Sequence, residues 1–189
     1  VCLVTNTSIE QSLKNVESFY SDQYSISNAP FFLPYLSGER TPHNDPHIRG
    51  SFHSIKTTTD ATHLQYAVIE GVSFGILDGV NSIIKVNSDF QNIFMVGGGS
   101  RSSFWIKLLA TLLNRKLSVC EQSEFGAALG VARLAMYADD SISYKNIIIK
   151  EIKVSKEYEA QSITMDLLLK RYSIWRDLYT SNKKNILIP

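Results

Sequence analysis

The chain has 189 residues, which is enough for one domain with a substantial core or one domain and a small appendage. It is 44% hydrophobic and 20% charged, as expected for a globular protein, and its formal net charge of +1 gives no basic excess for binding nucleic acid or an anionic membrane. No apolar run is expected to reach the length needed to cross a bilayer, so no membrane partner is expected, and the balanced charge predicts no nucleic-acid partner. The cysteines, Cys2 and Cys120, lie far apart, and no secretory signal is recognisable, which favours reduced thiols in the cytoplasm.

A helix is predicted near the start of the chain. Ser8 and Gln11 match a capping box, and apolar residues recur at helical spacing as far as Tyr20. The polar residues 21–28 then predict a loop. The apolar run 31–36 contains a proline, which limits it to a short edge strand.

The segment 37–50 is predicted to be an ordered, turn-rich loop, because it holds two prolines, two glycines and many hydrogen-bonding side chains. Four side chains in or near it are types that bind metals, but they share no recognised ligand spacing: His43, Asp45, His47 and His53. We therefore predict no metal site. We favour an internal network that holds the loop in shape, formed by Glu39, Arg40 and Asp45.

A long helix is predicted from about Ala61 to Val86, after a short strand at 51–56 and a cap at 57–60. Its predicted buried stripe is Leu64, Val68, Val72, Ile76, Val80, Ile83 and Ile84. Three glycines recur every four residues on one side, at Gly71, Gly75 and Gly79. Since each lowers helix propensity by up to about 1 kcal/mol, they predict close approach of another backbone.

The next part of the chain alternates strands and helices with short connections, which favours an α/β layer structure. A strand at 92–96 runs into the glycines 97–99, and a helix follows at 104–113. A second strand is predicted at 115–120, and a helix rich in small residues, suited to lie close to a sheet, begins at Gly126.

The glycine-rich junction is the strongest candidate for a ligand site. A strand, a tight turn and a helix N-terminus together offer free backbone N–H groups to an anion or a nucleotide. By itself, however, the pattern is more typical of a structural turn that needs glycine only for its backbone conformation or for close packing.

Beyond residue 138 the character of the sequence changes. A loop at 139–143 and a strand-like run at 147–154 precede a last helix from about Thr164 to Thr180. The apolar face of that helix is predicted to be Leu167, Leu168, Tyr172, Trp175 and Leu178.

Four stretches, in order, resemble the carboxy-terminal half of the FGGY carbohydrate kinases, and most of all the xylulose kinases in that family. The most specific is Leu33-Pro34-Tyr35-Leu36-Ser37-Gly38-Glu39-Arg40-Thr41-Pro42-His43 with the Asp45-Pro46 and Arg49-Gly50 that follow. The others are Gly50 to Gly71, similar to the family's second signature; Gly97 to Ser102 with Trp105, similar to its adenosine motif; and Gly126 to Ala135.

The resemblance implies a fold and a reaction. Such kinases have two actin-like, ribonuclease-H-like α/β domains around a cleft, and this chain would be most of the second domain, lacking its first strands. The reaction implied is transfer of a phosphoryl group from ATP, with Mg²⁺, to D-xylulose, giving D-xylulose 5-phosphate. We expect residues 1–138 to form the nucleotide-binding domain, with 139–189 as a strand and helix packed on it. A homodimer is compatible with this interpretation.

Of the functional residues that the resemblance implies, only those that bind the nucleotide have counterparts in this chain. Gly98 and Gly99 match the glycines that let the backbone approach the adenosine, and Ser100 belongs to the same motif. Ser103 falls where related kinases place a side chain near the adenine. Gly126 matches a helix start beside that pocket.

The departures from the family pattern limit what the chain does alone. The amino-terminal phosphate-binding hairpin is absent, and so is the motif that carries the general base, so no catalytic residue is assigned. The pentulose is expected to bind mainly to the missing amino-terminal domain, and the isolated chain is expected to be inactive and to expose a sheet edge with apolar surface. Ser54 stands where the second signature has glycine, which puts a tightly packed strand end in doubt.

Two alternatives remain at this point. The same fold phosphorylates other polyols and ketoses, such as glycerol and ribulose. A truncated, non-catalytic remnant that keeps only a nucleotide-binding or interaction surface is the other alternative.

Overall fold

The computed structural model describes residues 8–86, 92–121, 123–138 and 153–184. The helices of this part are α1 (Ile9–Tyr20), α2 (Gln23–Asn28), α3 (Ala61–Val86), α4 (Ser103–Leu113), α5 (Gly126–Ala138) and α6 (Ser162–Lys184). The strands are β1 (Phe31–Leu33), β2 (Ser51–His53), β3 (Ile93–Met95), β4 (Leu117–Cys120) and β5 (Val154–Tyr158). Short 3-10 turns occupy Gly98–Arg101 and Ser123–Phe125.

The first helix begins as predicted, whereas the loop predicted after it is wrong. The Ser8 hydroxyl oxygen accepts a hydrogen bond from the Gln11 amide at 3.1 Å and so caps α1. The Asp22 carboxylate then accepts from the amides of Tyr24 and Ser25 and starts the six-residue helix α2. A polar stretch that reads as a loop forms a helix here because an aspartate supplies its cap.

The short strand predicted after Pro30 is confirmed. β1 pairs antiparallel with β2, with Phe32 opposite Phe52 and their ring centroids 4.6 Å apart. Directly after β2, Ser54 has φ of +61°, in the left-handed region that favours glycine. Serine therefore occupies, at this strand end, a backbone conformation that glycine adopts more readily.

The buried stripe predicted for α3 is wrong, although the bounds of the helix are confirmed. The predicted residues are half-buried or exposed, and the buried positions include Tyr66, Glu70, Phe74, Leu77 and Asp78 instead. The reason is that the side of α3 facing β1 and α6 is enclosed and carries the paired carboxylates Glu70 and Asp78, whereas Ile76 and Ile83 of the predicted stripe are exposed.

The three glycines of α3 have different surroundings. A Cβ atom at Gly71 would overlap the carbonyl oxygen of Phe32, so the predicted close approach of a second backbone is confirmed there. Gly75 has only a Pro34 side-chain atom, at 3.8 Å, and nothing lies within 4 Å of the Cβ position of Gly79.

A buried ion pair joins the last helix to α3. The Arg171 guanidinium donates from two nitrogens to the two Glu70 carboxylate oxygens, each at 2.7 Å, and also to the carbonyl oxygens of Ala29 and Pro30. The side chains of Glu70 and Arg171 are only 1% and 5% exposed. Nearby, the indole N–H of Trp175 donates to the Phe32 carbonyl oxygen at 2.8 Å.

The apolar face of α6 is largely as predicted, with Leu168 and Trp175 fully buried and Tyr179 nearly so. These residues share one core with Val16 and Phe74. The last helix therefore packs on the same core as α3, while the boundary after residue 138 stays a prediction.

One helix in the described part, α3, is long and apolar enough to cross a membrane by length and composition, so the expectation that no run reaches that length is wrong. Its environment is that of a core helix. It buries Tyr66 and Phe74 against other elements and pairs Glu70 with a buried arginine.

The second sheet has the order β3-β4-β5, with β3 and β4 parallel and β5 antiparallel to β4. Helix α4 covers one face, where Ile106 and Leu109 pack against Leu117 and Val119. The second strand is thus confirmed, with Leu117 and Val119 on one side. The predicted strand at 147–154 lies almost wholly outside the described residues, and β5 begins where it ends.

Helix α5 forms as predicted but does not lie close to the sheet within the described part of the chain. It contains no buried residue, and apolar side chains such as Val131 and Leu134 are exposed. Small residues allow a helix to pack closely on a sheet, but they do not ensure that a sheet lies beside it.

The turn-rich loop is held by the network predicted for Glu39 and Asp45. The two residues exchange backbone hydrogen bonds of 2.8 and 2.7 Å, and one Asp45 carboxylate oxygen accepts from the amides of His47 and Ile48. Arg40 contributes through its backbone carbonyl oxygen, since its exposed side chain takes no part in these bonds. Among the described residues, no three His, Cys, Asp or Glu side chains converge as a metal site would require.

Candidate nucleotide site

The glycine turn is held by hydrogen bonds of its own backbone and of the Ser100 side chain. Gly97 has φ of +81°, and its amide donates to the Ser123 carbonyl oxygen at 2.8 Å. The Ser100 hydroxyl donates to the Gly97 carbonyl oxygen at 2.7 Å and lies 2.9 Å from the Ser123 hydroxyl. Ser100, predicted to bind the nucleotide, is thus buried beneath the turn and shapes it.

The turn leads directly into helix α4. The Ser102 hydroxyl oxygen accepts from the Trp105 amide at 3.2 Å and caps the helix. The amides of Ser103 and Phe104 precede the first i→i−4 bond of the helix, which is made by Ile106. Ser103 is exposed at this end and lines the cleft beside the turn.

Gly98 and Gly99 have different structural roles. A Cβ atom at Gly99 would lie 3.1 Å from the Trp105 indole, so this glycine makes room for a protein side chain. A Cβ atom at Gly98 would meet only the end of Arg101, at 3.7 Å. Gly98 therefore borders open space in the cleft, while Gly99 allows Trp105 to pack against the turn.

Trp105 connects the turn to the core. Its indole N–H donates to the Ser73 hydroxyl oxygen at 2.9 Å, and the Ser73 hydroxyl in turn donates to the Ile69 carbonyl oxygen at 2.7 Å. Ser73 is fully buried in α3. The position of Gly99 is thereby set by the long helix.

Helix α1 supplies the opposite wall of the cleft, which sequence reasoning missed. A cavity of about 530 Å³ lies between the glycine turn and the α1 residues Ile9, Leu13 and Lys14. Its volume is in the range of small-molecule sites. No local motif marks α1 as a binding element, because the fold alone brings it opposite the turn.

The cleft combines apolar and charged groups. Ile9, Leu13 and Ile69 give an apolar wall that suits a purine base. The charged residues of the lining are two cations that suit phosphate oxygens, Lys14 and Arg101, and two carboxylates, Glu10 and Glu17. Adenosine and its phosphates therefore fit the chemistry of the cleft. We assign no described residue to Mg²⁺, because the carboxylates here form no cluster of ligands.

Gly126 lies beside the turn and not in the cleft. A Cβ atom at this position would be 3.4 Å from the Val96 side chain, at the end of β3. Of the five residues predicted to bind the nucleotide, Gly98, Gly99 and Ser103 line the cleft, whereas Ser100 and Gly126 support or flank it.

A second cavity, of about 580 Å³, lies at α6 beside the turn-rich loop. Several of its polar groups lie close to one another. The Asp78 carboxylate accepts from the Tyr172 hydroxyl, lies 3.5 Å from Arg176 Nε, and lies 3.3 Å from His43 Nε2. The glycine cleft is the stronger candidate, because its backbone and apolar groups are available to a ligand.

Comparison with known proteins shows the family to which the chain belongs. Residues 5–138 match the carboxy-terminal domain of the FGGY family of carbohydrate kinases, and the chain belongs to that family. It is similar to the xylulose kinase of Staphylococcus epidermidis, with 32% identity over 159 residues, covering 84% of this chain and 32% of that protein. It is 40% identical to the xylulose kinase of Escherichia coli over 108 residues, covering 57% of this chain and 22% of that protein.

Solved structures agree with the predicted actin-like fold. A xylulose kinase from Brucella ovis matches with a TM-score of 0.80 and 31% identity, over 95% of this chain and 37% of that one. A Plasmodium falciparum glycerol kinase with ADP shares the fold, with a TM-score of 0.71 at 17% identity, over 96% of this chain and 34% of that one. The chain spans about a third of the length of these proteins.

Proposed function

We propose that this chain supplies the nucleotide-binding part of an ATP-dependent kinase that phosphorylates D-xylulose to D-xylulose 5-phosphate. The observation that carries the proposal is the cleft between the Gly98–Gly99 turn and α1. There the glycine backbone lies beside an apolar wall and a charged lining in which Lys14 and Arg101 stand with Glu10 and Glu17. D-Xylulose is favoured because several relatives are named xylulose kinases and because the loop 37–50 follows their pattern.

The roles of the residues follow from the chemistry of phosphoryl transfer, in which positioning and charge stabilisation supply most of the rate enhancement. Gly98 admits the adenosine, Gly99 and Ser100 hold the turn, and Ser103 presents its hydroxyl and amide to the ligand. Lys14 and Arg101 neutralise phosphate charge. None of these groups is placed to remove a proton from a sugar hydroxyl, so the chain alone is expected to bind ATP without turnover.

Titration of ATP into the chain by calorimetry tests the nucleotide site. Gly98→Leu should weaken ATP binding at least about tenfold, because the added side chain fills the cleft and meets little of the protein. Gly130→Leu in the exposed helix α5 is the matched control, since nothing lies within 4 Å of its Cβ position. A folded parent that does not bind ATP, or equal affinities for the Gly98 and Gly130 variants, would contradict the site.

Larger residues at Gly99 are also expected to weaken ATP binding, because they would disturb the turn itself and not because they would fill the cleft. The added atoms would press on Trp105 and displace the turn, so this variant should lose thermal stability as well as affinity. Gly98→Leu, in contrast, should lose affinity with its melting temperature preserved.

A second candidate function is phosphorylation of another sugar or polyol by the same fold. A gluconate kinase from Lactobacillus acidophilus matches with a TM-score of 0.72 and 25% identity, beside the glycerol kinase. Turnover of D-xylulose, ribulose, glycerol and gluconate by a full-length protein that contains this chain distinguishes these substrates. A non-catalytic remnant is favoured only if such a protein turns over none of them.

A further inference from the structure

We infer that the cavity at α6 is a second binding site, which takes a small organic cation that carries a protonated amine. The group that points to this ligand is the Asp78 carboxylate. The inference does not depend on the proposed nucleotide site, since the described residues that line the two cavities are all different.

The two oxygens of Asp78 have different surroundings, although the side chain as a whole is only 7% exposed. Oδ1 accepts a hydrogen bond from the Tyr172 hydroxyl. Oδ2 accepts no hydrogen bond from any described residue. A buried carboxylate oxygen without a donor is energetically costly, so Asp78 favours a ligand that supplies one.

His43 lies beside Oδ2 but does not satisfy it. Its Nε2 atom is 3.3 Å from Oδ2 without hydrogen-bond geometry, and it is hydrogen-bonded to the Tyr35 hydroxyl at 3.5 Å. The His43 ring stacks on the Tyr179 ring, with centroids 3.7 Å apart and planes at 14°. The imidazole is therefore held between two tyrosines, next to Oδ2 and not bonded to it.

The charges of the lining favour a cation. Arg176 is placed at the other oxygen of Asp78, with Nε 3.5 Å from Oδ1, and its side chain is 59% exposed. Asp177 also lines the cavity, so the described lining holds two carboxylates and one guanidinium, with His43 as a further titratable group. This excess of negative charge disfavours an anionic ligand.

The tyrosines of the lining suit the same ligand. Burial and the hydrogen bond to Asp78 raise the pKa of Tyr172 to about 12, so its hydroxyl keeps its proton and donates to Oδ1. Burial and the charge of Asp45 likewise raise the pKa of Tyr179 to about 12. The faces of neutral aromatic rings attract organic cations.

The size of the cavity and the missing donor define the ligand class. A volume of about 580 Å³ is enough for a small molecule. A neutral hydroxyl group would also donate to Oδ2, but only an ammonium group also balances the excess negative charge. A protonated amine therefore matches the cavity better than a neutral polyol.

Calorimetric titration of the chain with 1,4-diaminobutane tests the site, and 1,4-butanediol is the matched neutral probe of equal length. The diamine should bind at least about tenfold more tightly than the diol, because only its ammonium groups form charge-assisted hydrogen bonds with a carboxylate.

Substitutions of opposite expected sign locate the binding. Asp78→Asn should weaken diamine binding at least about tenfold, because it removes the charge and nearly preserves the shape. Arg176→Met should strengthen binding about threefold, because it removes a competing cation. Asp166→Asn is the matched control for Asp78→Asn, since Asp166 is exposed on α6 and does not line the cavity.

Asp177→Asn is a second test of the charge, at an exposed position of the lining. It should weaken diamine binding about threefold, because Asp177 is more accessible to water than Asp78. If Asp78→Asn does not fold, as judged by its melting curve, Asp177→Asn and Arg176→Met decide between the outcomes.

The inference is overturned if the folded chain binds neither probe or both equally, or if folded Asp78→Asn and Asp166→Asn have equal affinities for the diamine. It is also overturned if Asp177→Asn and Arg176→Met both leave the affinity unchanged. ATP titration reports on the nucleotide cleft separately. A chain that binds the diamine and not ATP would remove the proposed function and leave this second site in place.

Discussion

Two regions of the molecule differ in how completely they are packed. The clamped region, made of β1, the loop 37–50 and α6, joins distant parts of the chain through buried hydrogen bonds such as those of Arg171 and Trp175. The open region, made of β3, the glycine turn and α5, leaves apolar side chains such as Val131 in solvent. The difference separates a part of the chain held by buried polar contacts from a part whose apolar side chains remain exposed.

The largest expected effect is in the clamped region. Arg171→Met should lower the free energy of unfolding by about 3–5 kcal/mol, because it leaves the buried Glu70 carboxylate without its counter-charge. Urea unfolding measures the change. Arg176→Met is the control, since the Arg176 side chain is 59% exposed and its ion pair should contribute no more than about 1 kcal/mol. Equal losses for the two variants would remove the distinction between a buried clamp and a surface charge.

A smaller, pH-dependent effect is expected at Asp45. Burial alone would raise the pKa of this carboxyl, but hydrogen bonds from the amides of His47 and Ile48 and from Tyr179, with the charge of Lys183, outweigh it and lower the pKa. A carboxyl whose folded pKa is lowered stabilises the protein above its unfolded pKa of about 3.9, and this stabilisation is lost as the pH falls through the folded value.

Asp45→Asn should therefore lower the melting temperature at neutral pH, and the difference from the parent should shrink as the pH falls below about 4. Melting curves between neutral and acid pH test this. A difference that stays constant over that range would show that the Asp45 charge has no part in clamping the loop.

The smallest effect is expected in the open region. Val131→Ser on α5 should change the free energy of unfolding by no more than about 0.5 kcal/mol, because Val131 is exposed. The matched variant Val16→Ser, at a fully buried helical position of α1, should lose about 2 kcal/mol or more. If both valines respond alike, α5 is packed against another surface in solution and the two regions are not as different as the structure indicates.

The elements of the fold could be predicted where local sequence determines them. The cap at Ser8, the bounds of α3 and the glycine turn all follow from signals within a few residues. The buried face of α3 could not be predicted, because Glu70 and Asp78 are buried by partners about a hundred residues away, Arg171 and Tyr172. Apolar periodicity marks the side of a helix that avoids water, and long-range polar pairs can bury a different side.

The candidate site shows the same limit. The motif identifies Gly98, Gly99 and Ser103, which line the cleft. It does not separate Gly98, which faces open space, from Gly99, which faces Trp105, since both belong to one run of glycines. Nor does it indicate Leu13 or Lys14, because α1 meets the turn only through the tertiary fold.

Ser54 stands where the resembled family signature has glycine. Its backbone has φ of +61°, a conformation in which a residue with a Cβ atom is less stable than glycine by roughly 1–2 kcal/mol. The residue at this strand end therefore departs from the signature, while its backbone has a conformation that glycine adopts more readily. Residue identity and backbone angle are thus two separate descriptions of the same position, and one does not determine the other.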